Sequence, residues 1–190
     1  MAILQSIKPQ YCALIASGRK TIEVRKTRPK CELPVKVYIY CTKDKVPLLL
    51  PTYSKGNLTD SDIWQNGNGK VIGEYLCDEI EPKYCANGIA VYYENEQGTC
   101  LSDAELRMYA DGVKPLYFWH ISDLKIYDKP KELSEFGKEC NLDCPSVRCP
   151  YWKYQRVNAD EWDYDCSCNN IKPLTRPPQS WCYVEEVNNE

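Results

Sequence analysis

Short runs of alternating apolar and polar residues, separated by two helical patterns, make up most of the first 130 residues. A period of two is typical of half-buried strands, and apolar spacings of three and four residues are typical of helices. One helix is predicted to begin at Pro9 and to end near Gly18, and a second is predicted over about 103–111 with Ser102 as its N-cap. Strands are predicted at 2–7, 21–25, 35–41, 70–77, 116–121 and 124–127.

The faces of two predicted strands differ in chemistry. In the strand at 21–25, Ile22 and Val24 point one way, while Thr21, Glu23 and Arg25 point the other way. In the strand at 35–41, an apolar face alternates with a more polar face. The more polar face carries Tyr38 and Tyr40, and we expect these rings to lie beside Glu23 and Arg25.

After about residue 128 the periodicity fades, and Pro, Cys and Trp become frequent. The sequence therefore predicts an α+β protein in two parts. Residues 1–130 form a mixed sheet or small barrel with short helices, and residues 131–190 form an irregular, cysteine-rich extension packed on that domain.

Charge is spread unevenly along this chain of 190 residues, whose formal net charge is −3. Residues 1–30 carry seven basic side chains and one acidic side chain, while the rest is net acidic. A basic segment on an acidic body favours a local site for an anion such as a phosphate backbone, although attraction between the two parts would also explain it. Because no apolar run suits a membrane span or a signal peptide, we expect a cytoplasmic protein that is not inserted in a membrane.

Twelve cysteines are present, and half of them lie in the last 51 residues. In a reducing compartment such a cluster is more typical of metal binding than of disulfides. The spacing does not match a zinc ribbon, so a structural zinc site, unligated thiols and disulfides all stay open. The candidate metal ligands are Cys140, Cys144, Cys149, Cys166, Cys168 and Cys182.

The junction between the first helix and the second strand has a specific pattern. Residues 18–25 have the sequence Gly-Arg-Lys-Thr-Ile-Glu-Val-Arg, which fits G-x-K-x-x-E-x-R. This pattern, within the order strand, helix, glycine turn and strand, resembles that of ASCH domains, a PUA-like β-barrel family. The resemblance covers roughly residues 2–130.

The resemblance implies a PUA-like mixed β-barrel that binds RNA or a modified nucleotide. Some ASCH proteins are amidohydrolases that deacetylate N4-acetylcytidine with a Lys, a Thr and a Glu, and others are metal-dependent ribonucleases. Their Lys corresponds to Lys20, but their Thr position holds Glu23 and their Glu position falls near Thr99, with Glu96 close by. One catalytic position of three therefore carries over.

The residue types agree with a nucleotide pocket. Arg25 offers a planar fork for phosphate or a base edge, Lys20 offers a point charge, and Glu23 can accept hydrogen bonds or orient Arg25. With Thr21 and the rings of Tyr38 and Tyr40, these residues form the predicted ligand-binding set, since a base can stack on tyrosine.

Catalysis and protein binding remain alternatives to nucleotide binding. Lys20, Glu23 and Glu74 are the candidate catalytic residues, because a second carboxylate facing the cavity of Glu23 would suit acid–base chemistry. His120, the only histidine, is either a general base or a packed strand residue. The hypotheses are thus a nucleotide-binding domain, a hydrolase using the same pocket, and a protein-interaction module whose contact surface is the Cys- and Trp-rich tail.

Overall fold

A computed structural model describes residues 1–51, 64–83, 97–111, 115–139, 152–158, 161–166 and 171–187. Its two helices are α1 (Pro9–Ala16) and α2 (Asp103–Ala110). Its strands are β1 (Ala2–Ile7), β2 (Ile22–Arg25), β3 (Val35–Cys41), β4 (Leu49–Pro51), β5 (Trp64–Asn66), β6 (Val71–Cys77), β7 (Ile80–Lys83), β8 (Leu116–His120), β9 (Ser122–Lys131), β10 (Phe136–Glu139), β11 (Trp152–Asn158), β12 (Glu161–Cys166), β13 (Ile171–Pro173) and β14 (Trp181–Glu186). The α+β class is confirmed.

Helix ends follow the local sequence. Pro9 is the first residue of α1, where its missing N–H costs no hydrogen bond, and Gly18 after the helix takes a left-handed φ of +72°. Helix α2 begins with a capping box in which Ser102 and Glu105 each bond the backbone N–H of the other. No helix in the described part of the chain is long and apolar enough to cross a membrane.

Seven strands form the main sheet in the order β13-β10-β14-β1-β3-β6-β9. Strands β1 and β3 pair in parallel, which the helical crossover through α1 permits, and the other pairs are antiparallel. A smaller sheet has the order β2-β8-β7, and β4-β5 and β11-β12 form two-stranded pairs.

The mixed sheet predicted from the sequence is present, but it does not close into a β-barrel within the described residues. Among the described strands, β13 and β9 are the two ends of the main sheet and do not pair with each other, and β2, β8 and β7 pair only among themselves. The seven-stranded sheet is therefore open. A core that includes Ile3, Ile39 and Tyr75 from the main sheet and Trp119 from β8 lies between the two sheets.

The main sheet is buried on both faces. Beside the core between the sheets, a second cluster on the opposite face contains Leu4, Tyr38, Tyr40, Phe136 and Val184. The ring centroids of Tyr38 and Phe136 are 4.7 Å apart. Both faces of β3 are therefore occupied by protein, although its alternating sequence predicts one solvent-facing side.

The extension after residue 130 is not wholly irregular, which corrects that part of the prediction. Strands β10, β13 and β14 join the main sheet, and β14 pairs antiparallel with β1, with Leu4 opposite Cys182. Strand β9 itself runs across residue 130. The division of the chain at 130/131 stays a prediction.

Removing the ring of Phe136 tests whether the C-terminal strands are part of the core. Phe136 is fully buried, so Phe136→Ala should lower the free energy of unfolding by about 3–5 kcal/mol through lost burial and a cavity. Met108→Ala is the control, because Met108 is 77% exposed and its loss should change stability by less than about 0.5 kcal/mol. Urea unfolding followed by tryptophan fluorescence measures both, and equal midpoints for the two variants would contradict this account of the core.

Two tyrosines that donate to carboxylates predict alkaline instability. Burial is the largest cause that raises the pKa of Tyr38 and of Tyr127. The hydrogen bonds from Tyr38 to Glu186 and from Tyr127 to Glu74 raise these pKa values further. A folded-state pKa above the unfolded value of about 10 gives stabilisation that is complete below pH 10 and is lost as pH rises further. We expect the free energy of unfolding to fall above pH 10, by up to about 1.4 kcal/mol per pH unit for each such tyrosine.

The phenylalanine variants provide the matched comparison for this pH dependence. Tyr38→Phe and Tyr127→Phe should each flatten the decline above pH 10, because a phenyl ring has no proton to lose. Glu186 keeps its ion pair with Lys131 and Glu74 keeps its ion pair with Lys36 in these variants. Denaturant unfolding from pH 8 to pH 11 measures the slope, and slopes equal to that of the parent protein would refute the assignment.

Candidate functional site

A pocket of about 360 Å³ lies where the end of β1, the start of α1, strand β2 and helix α2 meet. Its lining includes Lys20, Glu23 and Arg25, together with Ser6 and Leu101. The structure therefore brings three of the residues singled out from sequence to one concave site.

Glu23 lies between two cations at the base of this pocket. Its Oε1 atom is 3.1 Å from Nη2 of Arg25, and its Oε2 atom is 3.4 Å from Nζ of Lys20. All three residues are at least 93% buried, with exposures of 2% for Lys20, 6% for Glu23 and 7% for Arg25. A buried carboxylate is costly unless it is paired, so each charge in this set depends on the others.

Local backbone geometry places these side chains. In β2, Glu23 is opposite Trp119 of β8, and Arg25 is opposite Tyr117. Cross-strand partners share a face, and Trp119 belongs to the core between the sheets, so Glu23 and Arg25 also point inward. The alternation of Ile22 and Val24 against Glu23 and Arg25, predicted from sequence, is thereby confirmed.

Lys20 is anchored by the turn before α2. Its Nζ donates to the carbonyl of Thr99 at 2.6 Å and lies 5.5 Å from the centroid of the Tyr11 ring. The turn itself is held against β2 because the N–H of Thr21 donates to the carbonyl of Gly98. A Cβ at Gly98 would lie 2.5 Å from Oγ1 of Thr21, so this close approach requires glycine.

Arg25 connects the pocket to the main sheet and to the C-terminal region. Its Nη2 donates to the carbonyl of Ser6 at 2.9 Å, and its Nη1 lies 3.5 Å from Oγ of Ser180. Ser6 also donates through its hydroxyl to the carbonyl of Pro178 at 2.6 Å. The segment preceding β14, to which the sequence assigns no role, therefore supports one wall of the pocket, where Gln179 is also a lining residue.

Tyr11 and Tyr109 are the aromatic residues of the pocket lining, and sequence reasoning missed both. Tyr11 lies in the first turn of α1. Burial raises the pKa of Tyr11, and the nearby Glu105 and Glu23 carboxylates raise it further. Burial also raises the pKa of Tyr109. Both rings are therefore neutral hydroxyl donors at physiological pH.

The expected placement of Tyr38, Tyr40 and Glu74 beside Glu23 is wrong. Tyr38 and Tyr40 lie in the cluster on the opposite face of the main sheet, where Tyr38 donates to Glu186 at 2.8 Å. Glu74 accepts a hydrogen bond from Tyr127 at 2.6 Å, on the same face as Tyr38. The cause is the two-sided burial of the sheet, which gives the polar side of β3 a core of its own.

Two other candidates, Thr21 and Cys182, are not among the lining residues of the pocket. Thr21 is exposed and contacts Gly98 rather than the pocket. Cys182 lies in β14 and packs against the second cluster, where burial raises the pKa of its thiol. The other five candidate zinc ligands, Cys140, Cys144, Cys149, Cys166 and Cys168, have side chains outside the described residues. The zinc site stays a prediction.

The charges around the pocket favour a ligand with both anionic and donor groups. Two buried cations face one buried carboxylate, and Lys8 adds an exposed cation to the lining. The carboxylate of Glu105 also belongs to the lining, and its hydrogen bonds from Ser102 lower its pKa. The cations of this arrangement can bind a phosphate or carbonyl oxygen, and its carboxylates can at the same time accept a hydrogen bond from an amine.

Comparisons with known proteins give similarity at the level of fold. No family model and no curated protein matches the sequence. Among solved structures, the chain is similar to ASCH from Zymomonas mobilis, with 20% sequence identity over 70% of this chain and 73% of that chain and a TM-score of 0.47. Two mutant forms of the Zymomonas mobilis protein give the same identity and TM-score over 76% and 74% of their chains. Residues 18–25 resemble the sequence motif of ASCH domains. ASCH structures are also among the solved structures to which this chain is similar.

Proposed function

We propose that this protein binds single-stranded RNA or a modified nucleotide in the pocket formed by Lys20, Glu23 and Arg25. The observation that carries the proposal is the buried Lys–Glu–Arg set at the base of an open pocket. Buried charge of this kind stabilises a fold poorly compared with apolar packing, so its presence in a pocket favours a binding role.

Charge supports an anionic ligand. Most of the pocket lining comes from the basic N-terminal part of an otherwise acidic chain, and it includes the exposed Lys8 beside the buried Lys20 and Arg25. Cationic side chains attract a phosphate backbone over long range and pair with it at contact.

Shape and aromatic lining support a single nucleotide rather than a duplex. A volume of about 360 Å³ is near the lower end of the range of small-molecule sites, about 300–1,000 Å³. An unstacked base could enter such a pocket, whereas a double helix could not. Tyr11 and Tyr109 offer ring faces on which a base can stack.

Hydrolysis in the same pocket has less support. Nζ of Lys20 is held by a backbone carbonyl and by the carboxylate of Glu23, which is an arrangement that fixes a cation. A carboxylate stands where the resembling amidohydrolases have a threonine, and the two groups do not share a mechanism. Binding is therefore proposed first, and turnover is a result that the binding assay must be able to detect.

Fluorescence anisotropy with short single-stranded RNA, the same sequence as DNA, and RNA containing N4-acetylcytidine tests the proposal. We expect RNA binding that weakens between about 50 and 200 mM salt, because phosphate contacts release counterions. Arg25→Ala should weaken binding by about tenfold or more, since it removes a charged hydrogen-bond donor. The melting temperature of Arg25→Ala must be measured alongside, because the change also leaves Glu23 with one cation.

Lys8→Ala gives a second variant that leaves the buried ion pairs intact. Lys8 is exposed at the pocket, so Lys8→Ala should remove one phosphate contact without lowering stability. The slope of the logarithm of the binding constant against the logarithm of the salt concentration should then fall in magnitude by about 1. Lys36→Ala is the matched control, because Lys36 is an exposed lysine on the opposite face of the main sheet, near Tyr38 and Glu74. Equal losses from the two lysine variants, or undiminished binding by folded Arg25→Ala, would contradict the pocket assignment.

Mass spectrometry of the bound RNA separates binding from hydrolysis. We expect the acetylcytidine-containing RNA to keep its mass after incubation. Loss of an acetyl group or strand cleavage that disappears in Lys20→Ala would instead support the hydrolase. Absence of binding to all three nucleic acids would reject the nucleotide pocket and leave the protein-interaction hypothesis for the tail.

A further inference from the structure

His120 ends β8, which is the central strand of the smaller sheet. Its side chain is 32% exposed, but the Nε2 atom is shielded from water and has no hydrogen-bond partner in the described part of the chain. Buried ring nitrogens are normally paired. The pocket of Lys20, Glu23 and Arg25 does not account for this nitrogen, because His120 is not part of its lining.

Strand register places two glutamates beside this nitrogen. Glu81 is opposite Phe118 in the β7–β8 pair, and the N–H of His120 donates to the carbonyl of Glu79 at 3.0 Å. Continuing the register puts Glu79 across from His120, so all three side chains share the face that carries Phe118. Trp119 and Glu23 point to the other face, toward the core between the sheets.

The three side chains are close enough to share an ion. Nε2 of His120 is 4.0 Å from Oε2 of Glu81, and one ligand atom from each of the three residues lies within 4.8 Å of the others. Metal bonds of about 2.0–2.2 Å put neighbouring ligand atoms roughly 3–4 Å apart. A shift of about 1 Å in the glutamate side chains would satisfy that geometry. Glu79 is exposed, so its side chain has room to move.

We propose that Glu79, Glu81 and His120 bind a divalent first-row transition-metal ion such as Zn²⁺. Two carboxylates supply charge, and the imidazole favours transition metals over Mg²⁺ and Ca²⁺, which prefer oxygen ligands. Three protein ligands leave coordination positions for water, as in open zinc sites. The site lies on the opposite face of the smaller sheet from the nucleotide pocket and does not depend on the function proposed for that pocket.

Lys83 would compete with a metal ion for the carboxylate of Glu81. Its Nζ atom is 2.8 Å from Oε2 of Glu81 and forms an ion pair with that carboxylate. A metal ion would have to displace the lysine, so the neutral variant Lys83→Met should bind the ion more tightly.

The single histidine allows the site to be observed without interference from the 12 cysteines. In the full-length protein labelled with ¹⁵N-histidine, the ring nitrogens of His120 give one set of resonances. Zn²⁺ is titrated beyond the amount that the cysteines can bind. We expect the Nε2 resonance to shift and then to saturate, and we expect Mg²⁺ at the same concentrations to leave it unchanged.

Four variants and one control test the proposed ligands and the competing lysine. Glu79→Gln and Glu81→Gln should each raise the Zn²⁺ concentration at half-saturation by about tenfold or more, since even changes in the groups around metal ligands cost about 10–100-fold in affinity. Lys83→Met should lower it. Glu139→Gln, an exposed carboxylate on β10, should leave it unchanged. An Nε2 resonance that does not move with Zn²⁺, or that moves equally in the double variant Glu79→Gln/Glu81→Gln, would overturn the proposal.

Discussion

The guanidinium of Arg25 joins the parts of this structure on which the pocket depends. It pairs with Glu23 in its own strand, donates to the carbonyl of Ser6 in the main sheet, and approaches Ser180 before the last strand. Burying a guanidinium is costly where its donors lack acceptors, and here Nη1 and Nη2 have them while the buried Nε has none in the described part of the chain. The same contacts therefore fix the smaller sheet against the main sheet and shape the base of the pocket.

Burial on both faces of the main sheet explains where the tyrosines lie. Alternation in β3 separates Val37 and Ile39 from Tyr38 and Tyr40, and a solvated polar face would have exposed the two rings. Phe136 and Val184 instead cover that face, and the Tyr38 hydroxyl is satisfied by Glu186. Tyrosine suits such a place because its ring packs as an apolar group while its hydroxyl reaches a partner at the edge of the core.

The two faces of the smaller sheet have different chemistry. On one face, Glu23 and Arg25 point toward the core and the pocket. On the other face, Phe118 and His120 lie beside Glu79. Side chains that alternate along one strand thus serve two separate environments. This division follows from the twofold periodicity of strands and from the register of β2, β8 and β7, because a slip of one residue would exchange the two faces.

The sequence alone determined the local helices and strands and the shared strand face of Glu23 and Arg25. Pro9, Gly18 and Ser102 mark helix boundaries through backbone chemistry that acts within a few residues, and alternation in β2 places Glu23 and Arg25 on one face. Tertiary structure alone decided what covers each face. Phe136 reaches Tyr38 from nearly a hundred residues away, and Tyr109 reaches the pocket from α2. Periodicity specifies which side chains share a face. Which residues pack on that face depends on long-range strand pairing, and the strands that provide this pairing lie in the cysteine- and proline-rich part of the chain, where the periodicity is weak.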